Sequence, residues 1–166
     1  MARLHQKIQQ ERSAIETAVH QTGVYLDKLS VMSDKELQAA RVNAIALNLH
    51  AFYTGTERIL TQVAKTCDGS LPTGTDWHRQ SLLQMATPVE EIRLPLISEA
   101  LLTRLDEFRR FRHVVRSNYA HVLEPEQVIR LAEQLRECYH EFEGELQQWL
   151  QSEPASSLNY LYLHRG

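Results

Sequence analysis

Apolar residues in this chain recur at the spacing of an α-helix, and that period restricts the fold more than any other feature. Leu101, Leu105, Phe108, Arg112, Val115, Tyr119 and Val122 are separated by alternating steps of four and three, which places all of them on one helical face. Ile8, Ile15, Val19 and Leu26 do the same within residues 2–30, a first helix with Gly23 as its weak point. Strand-like alternation is weak throughout. The stretch SDKE, Ser33–Glu36, reads as a capping box with Ser33 as N-cap. A second long helix follows to about Thr66, with Leu37, Ala44, Leu47, Leu49, Phe52, Ile59, Leu60 and Val63 as its apolar set.

The rest of the chain is partitioned by its turn formers. CDGSLPTGTD, Cys67–Asp76, is a loop by composition. A short helix over about Asp76–Met85 carries Trp77, Leu82, Leu83 and Met85. Pro88 and Pro95 make Thr87–Ser98 irregular. Ser98 caps the helix that bears the four-and-three row, and Pro125 starts a last long helix running to about Gln151. The remainder, SEPASSLNYLYLHRG, has no usable period. The expected architecture is all-α: an antiparallel bundle of four main helices plus a short one. Residues 1–152 form a single domain and 153–166 a C-terminal tail.

Bulk properties exclude several classes. At 166 residues and 43% hydrophobic, the chain can bury a core. A net charge of −3 argues against binding nucleic acid over the whole surface, though not against a local basic patch. Cys67 and Cys138 fit no C-x-x-C pattern, as expected of a reduced cytosolic protein. No apolar run approaches the ~20 residues that span a bilayer. The N-terminal segment is too polar for a signal peptide, so the expected location is the cytoplasm. The histidines show no H-E-x-x-H or other metal spacing and the GSLPTG loop is not a P-loop, so neither metal nor cofactor is expected.

The informative stretch is FRHVVRSNYAHVL, Phe111–Leu123. Arg112 occupies a core-type position. A buried, unpaired guanidinium is very costly, so it must pair with a carboxylate across the bundle, snorkel from a helix edge, or face a cleft or subunit interface. Arg116 lies one turn on, about 40° around the helix. His113 and Ser117 form an i, i+4 pair, and His121 falls near the helix end. With Arg104, Arg109 and Arg110, the arginines outnumber Asp106 and Glu107. Metal-independent RNA cleavage suits such a set. Histidine can take a proton from the 2′-hydroxyl and return one to the leaving oxygen. Arginine's planar fork matches the phosphate oxygens.

This stretch resembles the signature of the HEPN superfamily, an arginine and a histidine separated by four residues, often with a tyrosine two further on. LHAFYTGTERIL (Leu49–Leu60), DGSLPTGTDWHRQSLLQM (Asp68–Met85) and LDEFRRFRHVVRSNY (Leu105–Tyr119) are similar, in the same order, to segments of its HepT-like ribonuclease toxin branch. The resemblance covers roughly residues 40–150. It implies a helical bundle that dimerises with both motifs facing a shared cleft. It also implies an RNA substrate and a minimal nucleotidyltransferase antitoxin that attaches AMP to the motif tyrosine. In the register that agrees with the flanking segments, Arg112 is the motif arginine, His113 the polar residue after it and Tyr119 the AMP acceptor. The motif histidine then falls on Ser117, which is no acid or base near neutral pH. A second register, Arg116–His121, restores the spacing but puts Leu123 at the tyrosine. The resemblance thus implies Arg112, His113, Ser117 and His121 as catalytic positions, and the locally basic patch adds Arg109 and Arg116 as RNA-binding candidates.

Two further constellations stand outside the motif. In DWH, Asp76–His78, the simplest reading is a capping Asp76 with Trp77 in the core; the alternative is a ligand site. His50 and Glu57 share a face of the second helix at i, i+7, either as a satisfied core histidine or as polar residues lining a cleft. Three functions compete: an endoribonuclease toxin, a catalytically silent HEPN protein that binds RNA or nucleotide or serves as a partner subunit, and a helical interaction module.

Overall fold

The computed structural model describes residues 2–117 and 123–163, with side chains described over 2–116 and 123–152. Five α-helices lie in this part of the chain: α1 (Ala2–Leu29), α2 (Lys35–Val63), α3 (Trp77–Ala86), α4 (Glu99–Ser117) and α5 (Pro125–Leu163). The expected all-α bundle of four long helices and a short one is what forms.

Residue pairs fix the directions. Lys7 reaches Gln62, Glu11 pairs with Arg58, and Ile15 packs on Gly55, so α1 and α2 run antiparallel. Arg12 pairs with Glu143 and Gly23 lies beside Arg136, so α1 and α5 are antiparallel too. Ser98 N–H donates to Glu145 Oε2 at 2.7 Å, and Arg104 lies 3.4 Å from Glu141, which sets α4 against α5. The four long helices form a closed ring, and α3 packs on α2 and α4. Leu4, Ile8 and Ile15 from α1, Leu49, Phe52 and Leu60 from α2, Leu101, Leu105 and Phe108 from α4, and Val128, Leu135 and Phe142 from α5 fill the centre. Phe52 and Phe108 meet edge to face at 5.0 Å and 65°.

Three local expectations are corrected. The N-cap of α2 is Asp34, not Ser33: its carboxylate accepts from Glu36 N–H at 2.9 Å and Leu37 N–H at 3.1 Å. An aspartate caps as well as a serine and adds negative charge at the positive helix end. The buried stripe at the start of α2 follows Val42, Ile45, Ala46 and Leu49, leaving Leu37 and Leu47 56% and 63% exposed. The α2 sequence is apolar on more than one face, and contact with α1, α4 and α5 selects the stripe. Finally, α5 continues through the segment read as a periodless tail, to Leu163.

The segment expected to be irregular is built around a buried ion pair. α2 ends in a π turn, Ala64–Asp68, followed by Gly69 at φ 67°, the left-handed conformation that closes a helix. Asp68 at its end receives Arg93, whose side chain is fully buried: Nε lies 2.6 Å from Oδ1 and Nη2 2.9 Å from Oδ2. Arg93 also donates to the carbonyls of Gln84, Thr87 and Leu94 at 2.8–3.2 Å. This one guanidinium donates to a carbonyl in the last turn of α3 and to two in the loop that follows. It ties both flanks of α3 together. Ser98 then caps α4 as expected, its Oγ accepting from Leu101 N–H at 3.1 Å.

Candidate functional site at the junction of α2, α3 and α4

Arg112 extends from the core row of α4 toward α2, where its partner is Glu57. Nη1 lies 3.1 Å from Glu57 Oε2 and 3.3 Å from Oε1, with the two side chains 12% and 7% exposed. Of the alternatives open to a core-position arginine, pairing across the bundle is the one taken. The guanidinium carbon also lies 5.8 Å from the ring centroid of the fully buried Tyr53, within cation–π range. Burial, then the Glu57 carboxylate, drive the Tyr53 phenol far above its usual range, so it stays neutral.

The third member comes from α3. His78 Nδ1 is 2.5 Å from Glu57 Oε1 and 3.3 Å from Arg112 Nη1. A carboxylate can only accept, so the neutral tautomer that satisfies this contact carries its proton on Nδ1 and its lone pair on Nε2; the 3.3 Å approach of Arg112 Nη1 is then a close contact and not a hydrogen bond. Trp77 covers the imidazole, with ring centroids 3.6 Å apart and planes tilted 31°. Here the simplest reading of DWH is corrected. Asp76 makes no side-chain cap bond, and its carbonyl accepts from Arg79 and Gln80 N–H instead. Trp77 is half-buried against His78 rather than in the core.

His50, also on α2, completes the surroundings. It is half-buried, and burial followed by the charges of Arg112 and Arg116 lowers its pKa below the ordinary histidine value. Its Nδ1 is buried without a partner among the described residues, as is Arg112 Nε.

The basic patch reads differently in three dimensions. Asp106 accepts from Arg109 Nε at 2.6 Å and from Arg110 Nε at 2.8 Å. Burial opposes ionisation of Asp106, but these two guanidinium partners outweigh it and hold the carboxyl below its usual range. Arg104 pairs with Glu137 and Glu141 of α5. His113 and Arg116 are exposed on α4. Ser117 is the last residue of α4, and its side chain lies outside the described residues, as do Tyr119 and His121.

Glu57 and His78 are separated from Arg112 by 55 and 34 residues, and no local spacing joins them. The signals available were the polar face His50–Glu57 and a Trp-His pair opening a helix after a loop. Together the three residues offer a fixed guanidinium, an oriented imidazole and a carboxylate that holds both.

The fold is an all-α helical bundle. Residues 44–152 match the model of the family described as HepT-like protein, and the chain belongs to this HEPN-like family. Comparison with curated proteins gives no match. Among the described residues, no helix is long and apolar enough to cross a membrane.

Proposed function

We propose that this HepT-like chain is a metal-independent endoribonuclease toxin of the HEPN type, acting in the cytoplasm as a homodimer and paired with a small nucleotidyltransferase antitoxin. RNA is the substrate. Attack of a 2′-oxygen on the adjacent phosphorus breaks the bond to the 5′-oxygen and leaves a 2′,3′-cyclic phosphate and a 5′-hydroxyl. Arg112 binds the scissile phosphate and the exposed Arg116 extends the contact along the strand, while Arg109 is tied to Asp106 through Nε. His113 and His121 are the motif-proximal imidazoles, Ser117 stands where the motif histidine falls, and Tyr119 is the AMP acceptor.

The observation that carries this reading is the setting of Arg112. Its guanidinium is held on one side by Glu57 and lies among histidines from two other segments. A positioned cation needs no reorganisation when charge builds up on phosphate. A second reading has its own support: Ser117 in the motif and the neutralisation of Arg112 by Glu57 both favour a silent HEPN protein that binds RNA or nucleotide, or serves as a partner subunit.

Induced expression of wild type, Arg112→Ala and Ser117→His in a bacterial host, scored for growth and RNA integrity, separates the two. The toxin reading predicts growth arrest and RNA breakdown with wild type, and loss of both with Arg112→Ala. That loss corresponds to about 10²–10³-fold in rate, as for removal of one charge-stabilising donor. If toxicity appears only with Ser117→His, the scaffold is natively silent and the second reading holds.

A further inference from the structure

Resting on the reading of this site as an RNA-cleaving one, we propose that His78, oriented by Glu57, is the proton-transfer imidazole of the site. It takes the place of the histidine that residue 117 lacks.

The argument is geometric. A general base needs a fixed ring, a defined tautomer and a free lone pair beside the group that binds substrate. Glu57 holds Nδ1 at 2.5 Å, Trp77 covers a face of the ring, and Arg112 Nη1 lies 3.3 Å from Nδ1. A carboxylate that fixes the tautomer of a histidine and steadies its protonated form is the orienting element of Ser-His-Asp sites. Guanidinium and imidazole are therefore adjacent. The His78 side chain is 23% exposed, so part of it reaches solvent. The other half-buried histidine nearby meets the requirement less well. Nδ1 of His50 has no partner among the described residues, so no carboxylate sets its tautomer.

In this scheme His78 Nε2 takes the proton of the 2′-hydroxyl as the 2′-oxygen bonds to phosphorus. The bond from phosphorus to the 5′-oxygen breaks, and the departing oxygen takes a proton from solvent. His78 returns its proton to water, so nothing is consumed beyond the RNA linkage. Glu57 is a positioning residue, fixing His78 and Arg112 at once.

The test uses purified full-length protein and a short mixed-sequence RNA. His78→Asn retains an N–H for Glu57 but carries no base, whereas His78→Ala opens a space for free imidazole. Both variants should lose kcat by about 10²–10⁴-fold with KM little changed, and added imidazole should restore part of the rate to His78→Ala alone. Glu57→Gln should lower kcat less than His78→Asn. Cleavage by His78→Asn near the wild-type rate overturns the assignment and leaves the ribonuclease reading standing. In parallel, ¹⁵N-histidine NMR of wild type with the all-deoxy strand of the same sequence, which cannot be cleaved, should shift the His78 ring signals. If wild type cuts no RNA, the ribonuclease reading fails and the proton-transfer role falls with it, and these signals then decide only whether His78 faces the bound strand. Movement of His78 keeps it as a phosphate-facing imidazole, and unmoved signals remove it from the site.

Discussion

Removing Arg93 should destabilise the molecule more than any surface substitution. Its side chain is fully buried and makes five hydrogen bonds, two to Asp68 and one each to the carbonyls of Gln84, Thr87 and Leu94. In Arg93→Ala, Asp68, whose side chain is 6% exposed in the wild type, keeps one described side-chain donor, Gln84 Nε2 at 2.6 Å. Breaking a buried pair from one side costs about 3–5 kcal/mol, because the stranded charge is not resolvated. For a chain of this size each kcal/mol lowers Tm by roughly 2–4 °C, so the melting point should fall by about 6–20 °C. Replacing both partners with apolar groups, Arg93→Met with Asp68→Leu, should recover only the part due to the stranded charge, since the carbonyls of Gln84, Thr87 and Leu94 still lose their donor. Circular dichroism melts of wild type, both single variants and the double variant decide the matter. If Arg93→Ala melts within a degree or two of wild type, or the double variant is as unstable as the sum of the singles, the pair is not the clamp described. A second readout links it to the site: Arg93 braces the segments on either side of α3, so Arg93→Ala should also weaken the His78–Glu57 contact, seen in the His78 ring signals.

Other expectations are simpler to check. Gly55→Ala places a Cβ 2.7 Å from Ile15 Cγ1; overpacking of about 1–3 kcal/mol should exceed the gain of about 1 kcal/mol from helix propensity, and a companion Ile15→Ala should relieve the clash, both measured by urea unfolding. Asp106 ionises more readily folded than unfolded, so its contribution is present above the unfolded carboxylate pKa of about 3.9 and is lost as pH falls through the lower folded value. The stability gap between wild type and Asp106→Asn should therefore be open at pH 6 and close in acid, and a gap independent of pH would contradict the pairing with Arg109 and Arg110. Burial pushes the Cys138 thiol up to about 12, so at pH 8 the folded protein should show slow labelling at Cys138 by a thiol reagent, and denaturant should release it.

The sequence was most legible where one period served one neighbour. α1 follows its apolar row closely, as does α4 from Leu101 to Val115, Tyr119 and Val122 lying outside the described residues, and the Ser98 cap is where its residue type puts it. It was less legible in α2, which touches three other long helices, so that apolar residues on several faces obscure the phase and leave Leu37 and Leu47 outside. Pro154 and the serines around it hid the helical continuation of α5, because proline lacks the donor that extends a helix. At the site, Arg112 was marked as anomalous by its place in an apolar row, and that anomaly located the cluster. The identity of its partners was not in the row. Glu57 and His78 meet Arg112 only once α2 and α3 have docked, and the arginines that crowd α4 in sequence are largely committed to Asp106 and to α5.

The closed ring has a practical corollary for dissecting the molecule. The family match begins at residue 44, part-way along α2, and leaves α1 outside it. Yet α1 covers Gly55 and supplies Leu4, Ile8, Ile15 and Val19 to the interior. A fragment cut at the family boundary would begin with a truncated helix and would turn the apolar flanks of α2 and α5 to water. Such a fragment should self-associate, since a wide apolar strip on a small protein finds another surface to cover it. Boundaries drawn from sequence kinship and boundaries drawn from cooperative folding do not coincide in this chain, and expression of the site as a working unit requires the latter.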